Sequence, residues 1–269
     1  MDFTKKLLTS CAIVSTALTA PLAADAIKIG FEDGTWNCDK QDIVYSTVGG
    51  PGKDCGIDVT KKFVRDGKFA ARFWRGPSEK RMEHGYRGIN TYIHGSHKFY
   101  RVSYYFDPAA ESDSQIVGTM FQLKHHGKPL DNAKCFAINA KKDGEKYAID
   151  LDVRHYSDTQ ECIRKKVPLF QSIPRGKWID VVVEVKWSNQ ADGCYKVFVQ
   201  LEGTKEWKLM FEQNDIATIA NPTDRNDGDL GEVIGYFKVG TYGGREIKAT
   251  REVYIDDVRI CDRFEEATK

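Results

Sequence analysis

The chain has 269 residues, of which 41% are hydrophobic and 12% aromatic, a composition typical of a folded globular protein and unlike that of a disordered one. Its formal net charge of +1 excludes a global field that would attract nucleic acid or a membrane surface, so any anion site must be a local patch.

The first 26 residues have the features of an export signal. Two lysines precede an apolar stretch that ends at Ala20, and the cleavage pattern Ala24-x-Ala26 follows. The apolar stretch is too short and too polar to span a bilayer comfortably. We therefore predict a signal peptide over residues 1–26, a single domain over residues 27–269, and a periplasmic or secreted protein with no membrane contact after cleavage.

Seven cysteines are spread along the chain, and removal of the signal peptide would leave six. An even number of cysteines in an exported protein indicates disulfides, whereas reduced and buried thiols are the alternative. Several pairings are compatible with the sequence. We predict that neighbours along the chain pair, as Cys38–Cys55, Cys135–Cys162 and Cys194–Cys261.

Residues 27–269 have the pattern of β-strands almost throughout, because hydrophobic and polar residues alternate in one segment after another. Turn signals such as Pro174-Arg175-Gly176 separate these segments. The predicted strands cover residues 98–106, 116–124, 147–154, 179–187, 195–201, 207–211, 236–242 and 253–260. This spacing predicts an all-β fold, a jelly-roll sandwich of the concanavalin A-like type with two antiparallel sheets and a concave groove.

The two ends of the mature chain carry carboxylates that adjacent terminal strands would bring together. Glu32 lies in the opening segment and Asp257 in the closing one. Because calcium prefers such hard oxygen ligands, the pattern predicts a structural Ca²⁺ held by these two side chains. A solvated turn beside an ordinary edge strand is the alternative.

Three segments, residues 81–83, 120–125 and 236–242, carry polar groups on one strand face and hydrophobic groups on the other. Side by side in one sheet, they would form a groove lined by guanidinium, amide, ammonium and phenol groups, which suit an anionic sugar. An ordinary solvated sheet face is the alternative. The residues on these polar faces are Arg81, Glu83, Gln122, Lys124, Tyr236, Lys238 and Tyr242.

An R-x-E strand, a Q-x-K strand and a Y-F-K-x-G-x-Y strand, in that order, resemble the jelly-roll polysaccharide lyases. These include the heparin lyase I-like and glucuronan lyase group and the related alginate lyases. The resemblance spans roughly residues 27–261. It implies β-elimination on an acidic polysaccharide (glucuronan, alginate or a glycosaminoglycan-like polymer). We also expect a monomer that needs no cofactor for catalysis.

The resemblance also implies roles for individual residues. In these lyases donor and cationic groups neutralise the substrate carboxylate, here Arg81 and Gln122. A tyrosine acts as the acid and often as the base, and Tyr242 matches that position. Lys238 and Tyr236 would bind substrate or tune the tyrosine.

Lys124 stands where the alginate lyases usually have histidine. A lysine stabilises negative charge, but with an ordinary pKa it is a poor base at neutral pH. His125 points to the opposite face of a regular strand, whereas His126 returns to the groove side unless Gly127 ends the strand first. A turn or bulge would present either histidine to substrate. The base that removes the C5 proton therefore stays open among tyrosine, histidine and lysine.

Strand 147–154 adds further groove residues, and we expect Arg154 and Tyr156 to contact substrate. Asp150 and Asp152 also fit a jelly-roll glycoside hydrolase, although the third position of that pattern is Arg154. A non-catalytic carbohydrate-binding module, which needs the groove but no acid or base, is the other alternative to a lyase.

Overall fold

The computed structural model describes residues 27–36, 44–49, 54–87, 95–126, 134–143, 146–159, 161–220, 234–243 and 248–269. The predicted signal peptide, residues 1–26, and Cys38 of the predicted Cys38–Cys55 pair lie outside these ranges. Within them, no helix is both long and apolar enough to cross a membrane.

Strands dominate the described residues, and they form two sheets in which every pairing is antiparallel. A short helix, α1 (Phe264–Thr268), follows the last strand. In chain order the strands are β1 (Ile27–Ile29), β2 (Val44–Gly49), β3 (Cys55–Thr60), β4 (Ala70–Arg75), β5 (Arg81–Arg87), β6 (His97–Tyr105), β7 (Gly118–His126), β8 (Lys134–Asp143), β9 (Lys146–Tyr156), β10 (Cys162–Phe170), β11 (Trp178–Lys186), β12 (Gly193–Leu201), β13 (Lys208–Ile216), β14 (Ile234–Tyr242) and β15 (Arg251–Cys261).

The first sheet has the order β13-β12-β11-β6-β15-β4-β3, and β1 also pairs with β15. The second sheet has the order β10-β9-β8-β7-β14-β5-β2. Hydrophobic residues from the facing sides of both sheets form one core, in which Phe121 and Phe237 of the second sheet pack near Tyr100 of the first. The predicted all-β jelly-roll sandwich is confirmed. We call the side of the second sheet that points away from this core the site face.

The pairings Cys135–Cys162 and Cys194–Cys261 are wrong, and Cys162, Cys194 and Cys261 are free thiols. Strand β9 separates Cys135 on β8 from Cys162 on β10, while β11 and β6 separate Cys194 on β12 from Cys261 on β15. Adjacent strands lie about 4.8 Å apart. Both pairs therefore exceed the limit of about 7 Å between Cα atoms that a disulfide can bridge.

Strand β1 pairs with β15, so the predicted meeting of the two ends is confirmed. The carboxylates there have other partners: Glu32 accepts a hydrogen bond from the backbone N–H of Lys68 at 2.7 Å, and Asp257 is bound by Arg259 and Arg101 at 2.9 and 2.8 Å. The described residues contain no group of three or more His, Cys, Asp or Glu side chains that could hold a metal. The arrangement does not fit Glu32 and Asp257 as joint ligands, and calcium binding stays a prediction.

Candidate active site

Tyr242 ends β14 in the middle of the second sheet, where it pairs with Arg81 of β5 on one side and Thr119 of β7 on the other. Its backbone N–H donates to the Val117 carbonyl at 3.1 Å. Gly118 has a φ of +73°, and a Cβ at this position would lie 2.1 Å from the Tyr242 carbonyl oxygen. Only glycine permits this approach, which fixes the backbone beneath the half-buried tyrosine.

Three cations surround the Tyr242 ring. The charged groups of Arg81, Lys134 and Lys80 lie 4.6, 5.1 and 5.7 Å from the ring centroid. Lys134 begins β8 and Lys80 directly precedes β5, and the sequence pattern had singled out neither. The cluster makes the end of β14 a local positive patch in a chain of nearly zero net charge, which favours an anionic ligand at the tyrosine.

A β-bulge explains why Lys134 and Thr119 belong to this cluster. The pairing of β7 with β8 shifts register just after Thr119, so Thr119 reaches the site face while the next residue, Met120, is buried in the core. The Thr119 hydroxyl accepts a hydrogen bond from Lys134 Nζ at 2.9 Å and donates one to Asn139 Oδ1 at 2.8 Å. Simple alternation along β7 does not reveal this arrangement.

A buried polar cluster joins the three predicted strands. Glu83 and Gln122 are each 2% exposed and Lys238 is 3% exposed. Gln122 Nε2 donates to Glu83 Oε1, and Lys238 Nζ lies 3.8 Å from the other Glu83 oxygen. Burial raises the pKa of Glu83, against the opposing effects of the Lys238 and Arg81 charges. Glu83 therefore orients the Gln122 amide and holds Lys238 on the site face.

Lys124 lies on the same face and is half-buried. Burial, followed by the charge of Lys238, lowers the pKa of Lys124 to about 8, although Glu83 opposes this change. A lysine with this pKa is largely charged at neutral pH and half deprotonated near pH 8. It is therefore a stronger candidate base than a lysine of ordinary pKa.

The structure describes only the backbone of three other predicted residues at the β7–β14 pairing. His125 lies opposite Gly235, His126 opposite Ile234, and Tyr236 opposite Lys124. Their predicted contacts with substrate stay predictions.

Asp152 forms an ion-pair cluster with two arginines. Arg164 donates to both of its oxygens at 2.7 and 2.6 Å, and Arg154 lies 3.5 Å away. Burial alone would raise the pKa of Asp152, but the Arg164 hydrogen bonds and the Arg154 charge hold it below the ordinary value. Asp152 is thus held as an ionised carboxylate by its two arginines and lacks the raised pKa of the proton donor in a glycoside hydrolase.

Tyr156 is buried at the far end of β9, where it packs with Ala217 and Ala220, and burial raises its pKa. It lies six residues from Asp150, which is in the cross-strand row of Tyr242, so roughly 20 Å of strand separates it from that row. The structure does not bring Tyr156 into the Tyr242 cluster.

Arg75 of β4 is fully buried behind Tyr242. It donates to Thr241 Oγ1 at 2.8 Å, to the Val117 carbonyl at 3.0 Å, and to the Gly243 carbonyl. Burial, together with the nearby charge of Arg251, lowers the pKa of Arg75 to about 9. Arg75 therefore binds the residues on both sides of the tyrosine.

Arg251 of β15 supports the same corner. It is also fully buried, and it donates to the Gly76 carbonyl at 2.8 Å and the Glu79 carbonyl at 3.3 Å, in the turn that leads into β5. The sequence does carry a signal for both arginines: Arg75 is in phase with the core residue Phe73, and Arg251 with the core residue Val253. An arginine buried at a core position needs several acceptors for its N–H donors, because an unpaired buried charge is costly.

Residues 31–259 match the sequence profile of the family described as polysaccharide lyase. No curated protein matches the sequence. Among solved structures, the endo-β-1,4-glucuronan lyase of the fungus Trichoderma reesei is similar with a TM-score of 0.62 and 15% identity, covering 83% of this chain and 97% of that one.

Two further structures are similar. The cellulose-induced protein Cip1 has a TM-score of 0.51 and 12% identity over 88% of this chain and 97% of its own. The alginate lyase of Klebsiella pneumoniae has a TM-score of 0.50 and 10% identity over 78% of this chain and 85% of its own. At such identities these likenesses show the fold alone. The family profile covers most of the chain, however, and this protein therefore belongs to the polysaccharide lyase family.

Proposed function

We propose that this polysaccharide lyase cleaves a polymer that contains uronic acid, by β-elimination at Tyr242. The observation that carries the proposal is the set of cations around a single tyrosine: Arg81, Lys134 and Lys80 lie within 6 Å of the ring centroid. A neutral sugar would gain little from such a patch, whereas the carboxylate of a uronate would be bound and partly neutralised by it.

The reaction requires that charge on the substrate carboxylate be stabilised as the C5 proton leaves. Arg81 and the second N–H of the Gln122 amide supply donors on the site face, and Glu83 keeps that amide oriented. Tyr242 takes the C5 proton as a phenolate. The C4–O4 bond breaks, a C4=C5 double bond forms, and the same tyrosine returns the proton to O4 of the leaving chain. Lys124, mostly charged at neutral pH, binds a substrate carboxylate.

The identities of two structural neighbours support a uronate substrate. One neighbour acts on glucuronan and another on alginate, and both polymers consist of uronic acid residues. We further propose that the chain is exported, because residues 1–26 have the sequence of a cleavable signal. Export is tested by the N-terminal sequence of the mature protein recovered from the periplasm or the medium.

The activity is tested by the ultraviolet absorbance of the unsaturated uronate that β-elimination creates. Purified protein is incubated with glucuronan, alginate, hyaluronan and pectate in turn, with and without calcium. We expect absorbance to rise with at least one of these polymers and not with a neutral glucan. New reducing ends without absorbance would indicate hydrolysis and would overturn the proposal, as would an absence of any cleavage.

A further inference from the structure

A second polar site lies on the site face, away from Tyr242. A cavity of about 440 Å³ opens over the pairing of β8, β9 and β10. The residues that supply its charge are Lys141, Lys146, Asp150 and Lys166. A cavity of this size is within the range that accommodates a small ligand.

Asp150 is the central group of this cavity. Its side chain is 8% exposed, and Oδ2 lies 2.8 Å from Lys141 Nζ. The other oxygen, Oδ1, is buried and accepts no hydrogen bond from any described residue. A buried carboxylate oxygen without a donor is costly, so its position in a polar cavity points to a ligand that donates a hydrogen bond.

The cavity is in register with Tyr242. Across the sheet, Tyr242 pairs with Thr119, Thr119 with Asn139, Asn139 with Asp150, and Asp150 with Pro168. This row runs perpendicular to the strands on one face. Three strand spacings separate Tyr242 from Asp150, which is about 14 Å. A polymer lying along this row would therefore contact both sites at once.

The charges indicate which part of the polymer binds here. The Lys141 charge is balanced by Asp150, whereas Lys146 and Lys166 are exposed and add positive charge. Lys166 pairs with Asp152 of β9 and so lies on the site face. A uronate residue offers both groups that this site needs, a hydroxyl that donates to Asp150 and a carboxylate that accepts from a lysine.

We propose that the cavity around Asp150 is a distal subsite that binds a uronate residue of the same polymer whose cleavage occurs at Tyr242. The Asp150 carboxylate accepts a hydrogen bond from a sugar hydroxyl, and Lys166 and Lys146 bind the carboxylate of that sugar. This inference rests on the proposed function for its ligand, and on the geometry of the Asp150 row for its position.

The test compares two adjacent lysines on opposite faces of β10. Lys166 lies on the site face, whereas Lys165 points the other way, with its Nζ 5.8 Å from the centroid of the Phe211 ring. The variants K166A and K165A are each made together with Tyr242→Phe, so that the polymer is not cut during titration. The Kd values for glucuronan and for alginate are measured against Tyr242→Phe alone.

We expect K166A to weaken binding of at least one polymer by about tenfold, as loss of one charge-assisted contact predicts, and K165A to leave it unchanged. D150N should weaken binding similarly, because an amide satisfies the sugar hydroxyl less well than a carboxylate. Equal affinities for K166A and K165A, or no binding of either polymer, would overturn the subsite. The proposed function fails separately if wild-type protein binds a polymer but produces no unsaturated ends.

Discussion

Arg75 donates from Nε to the hydroxyl of Thr241 over 2.8 Å, and both residues are completely buried. Thr241 directly precedes Tyr242, so this hydrogen bond ties the strand that carries the tyrosine to β4 of the opposite sheet. The same guanidinium reaches the Gly243 carbonyl on the other side of Tyr242. The position of the tyrosine therefore depends on contacts made behind the site face, with groups that no substrate touches.

Thr241→Val should weaken both stability and turnover. Valine keeps the shape of threonine but leaves Arg75 Nε without its acceptor, which we expect to cost about 1–3 kcal/mol of unfolding free energy. If the hydrogen bond positions Tyr242, kcat should fall while KM changes little. Denaturant unfolding and steady-state kinetics measure the two effects. Unchanged kcat in a destabilised protein would limit the contact to a structural role.

Tyr242→Phe should abolish turnover while the fold is retained. The substitution removes only the phenolic oxygen, and loss of a general acid or base typically lowers kcat by about 10²–10⁴-fold. Tyr147→Phe is a matched control, because its hydroxyl donates to Asp113 at 2.8 Å in a different part of the protein. Near-normal activity of Tyr242→Phe in the absorbance assay would contradict the role given to this tyrosine.

Substrate binding should weaken as the pH rises above about 8, where Lys124 loses its charge. A lysine binds an anion below its pKa and loses that attraction above it, so KM should rise by up to about tenfold per pH unit in that range. Lys124→Arg keeps the charge and should remove this rise, whereas Lys165→Arg should leave it in place. If kcat of Lys124→Arg falls to background at every pH while KM stays low, Lys124 is the base that removes the C5 proton.

The free energy of unfolding should decrease as the pH is lowered from 6.5 to about 4, because of His84. This side chain is completely buried on the core face of β5, beside Tyr86, and burial lowers its pKa to about 4. A histidine whose pKa is lowered on folding contributes stability that is fully present above the pKa that the same histidine has in the unfolded chain. That stability is lost as the pH falls toward the folded value, and amounts to about 3 kcal/mol. The unfolding free energy of His84→Phe should therefore depend less steeply on pH; an identical slope would contradict the prediction.

Strand alternation was sufficient to bring Arg81, Glu83, Gln122, Lys124 and Lys238 onto one face, because β5, β14 up to Val239 and the middle of β7 keep a regular pleat. That the three strands are neighbours in one sheet was inferred from the resemblance to the lyases and not from alternation itself.

Strand β10 was not predicted: three consecutive basic residues and Pro168 obscure its pattern. Such residues are tolerated because β10 is an edge strand, where one side of the backbone needs no partner in the sheet.

The residues missing from the sequence-based site are those placed by tertiary structure. Thr119 and Lys134 reach Tyr242 through register shifts in β7 and β8, which a period of two residues does not encode. The cysteine pairing failed for a related reason, since it used proximity along the chain, whereas the sheet order separates Cys135 from Cys162. Lys80 was missed because its position beside Tyr242 depends on the conformation of the turn before β5.

The position of β14 also governs how this protein must fold. It is one of the last strands of the chain, yet it lies between β7 and β5 in the middle of its sheet, and β15 lies likewise between β6 and β4. Until these two strands arrive, the earlier strands of both sheets have open edges, and pairing across such long stretches of chain is slow. A chain truncated before residue 234 should therefore aggregate and not yield a smaller enzyme, and Tyr242 is set in place only when the second sheet closes.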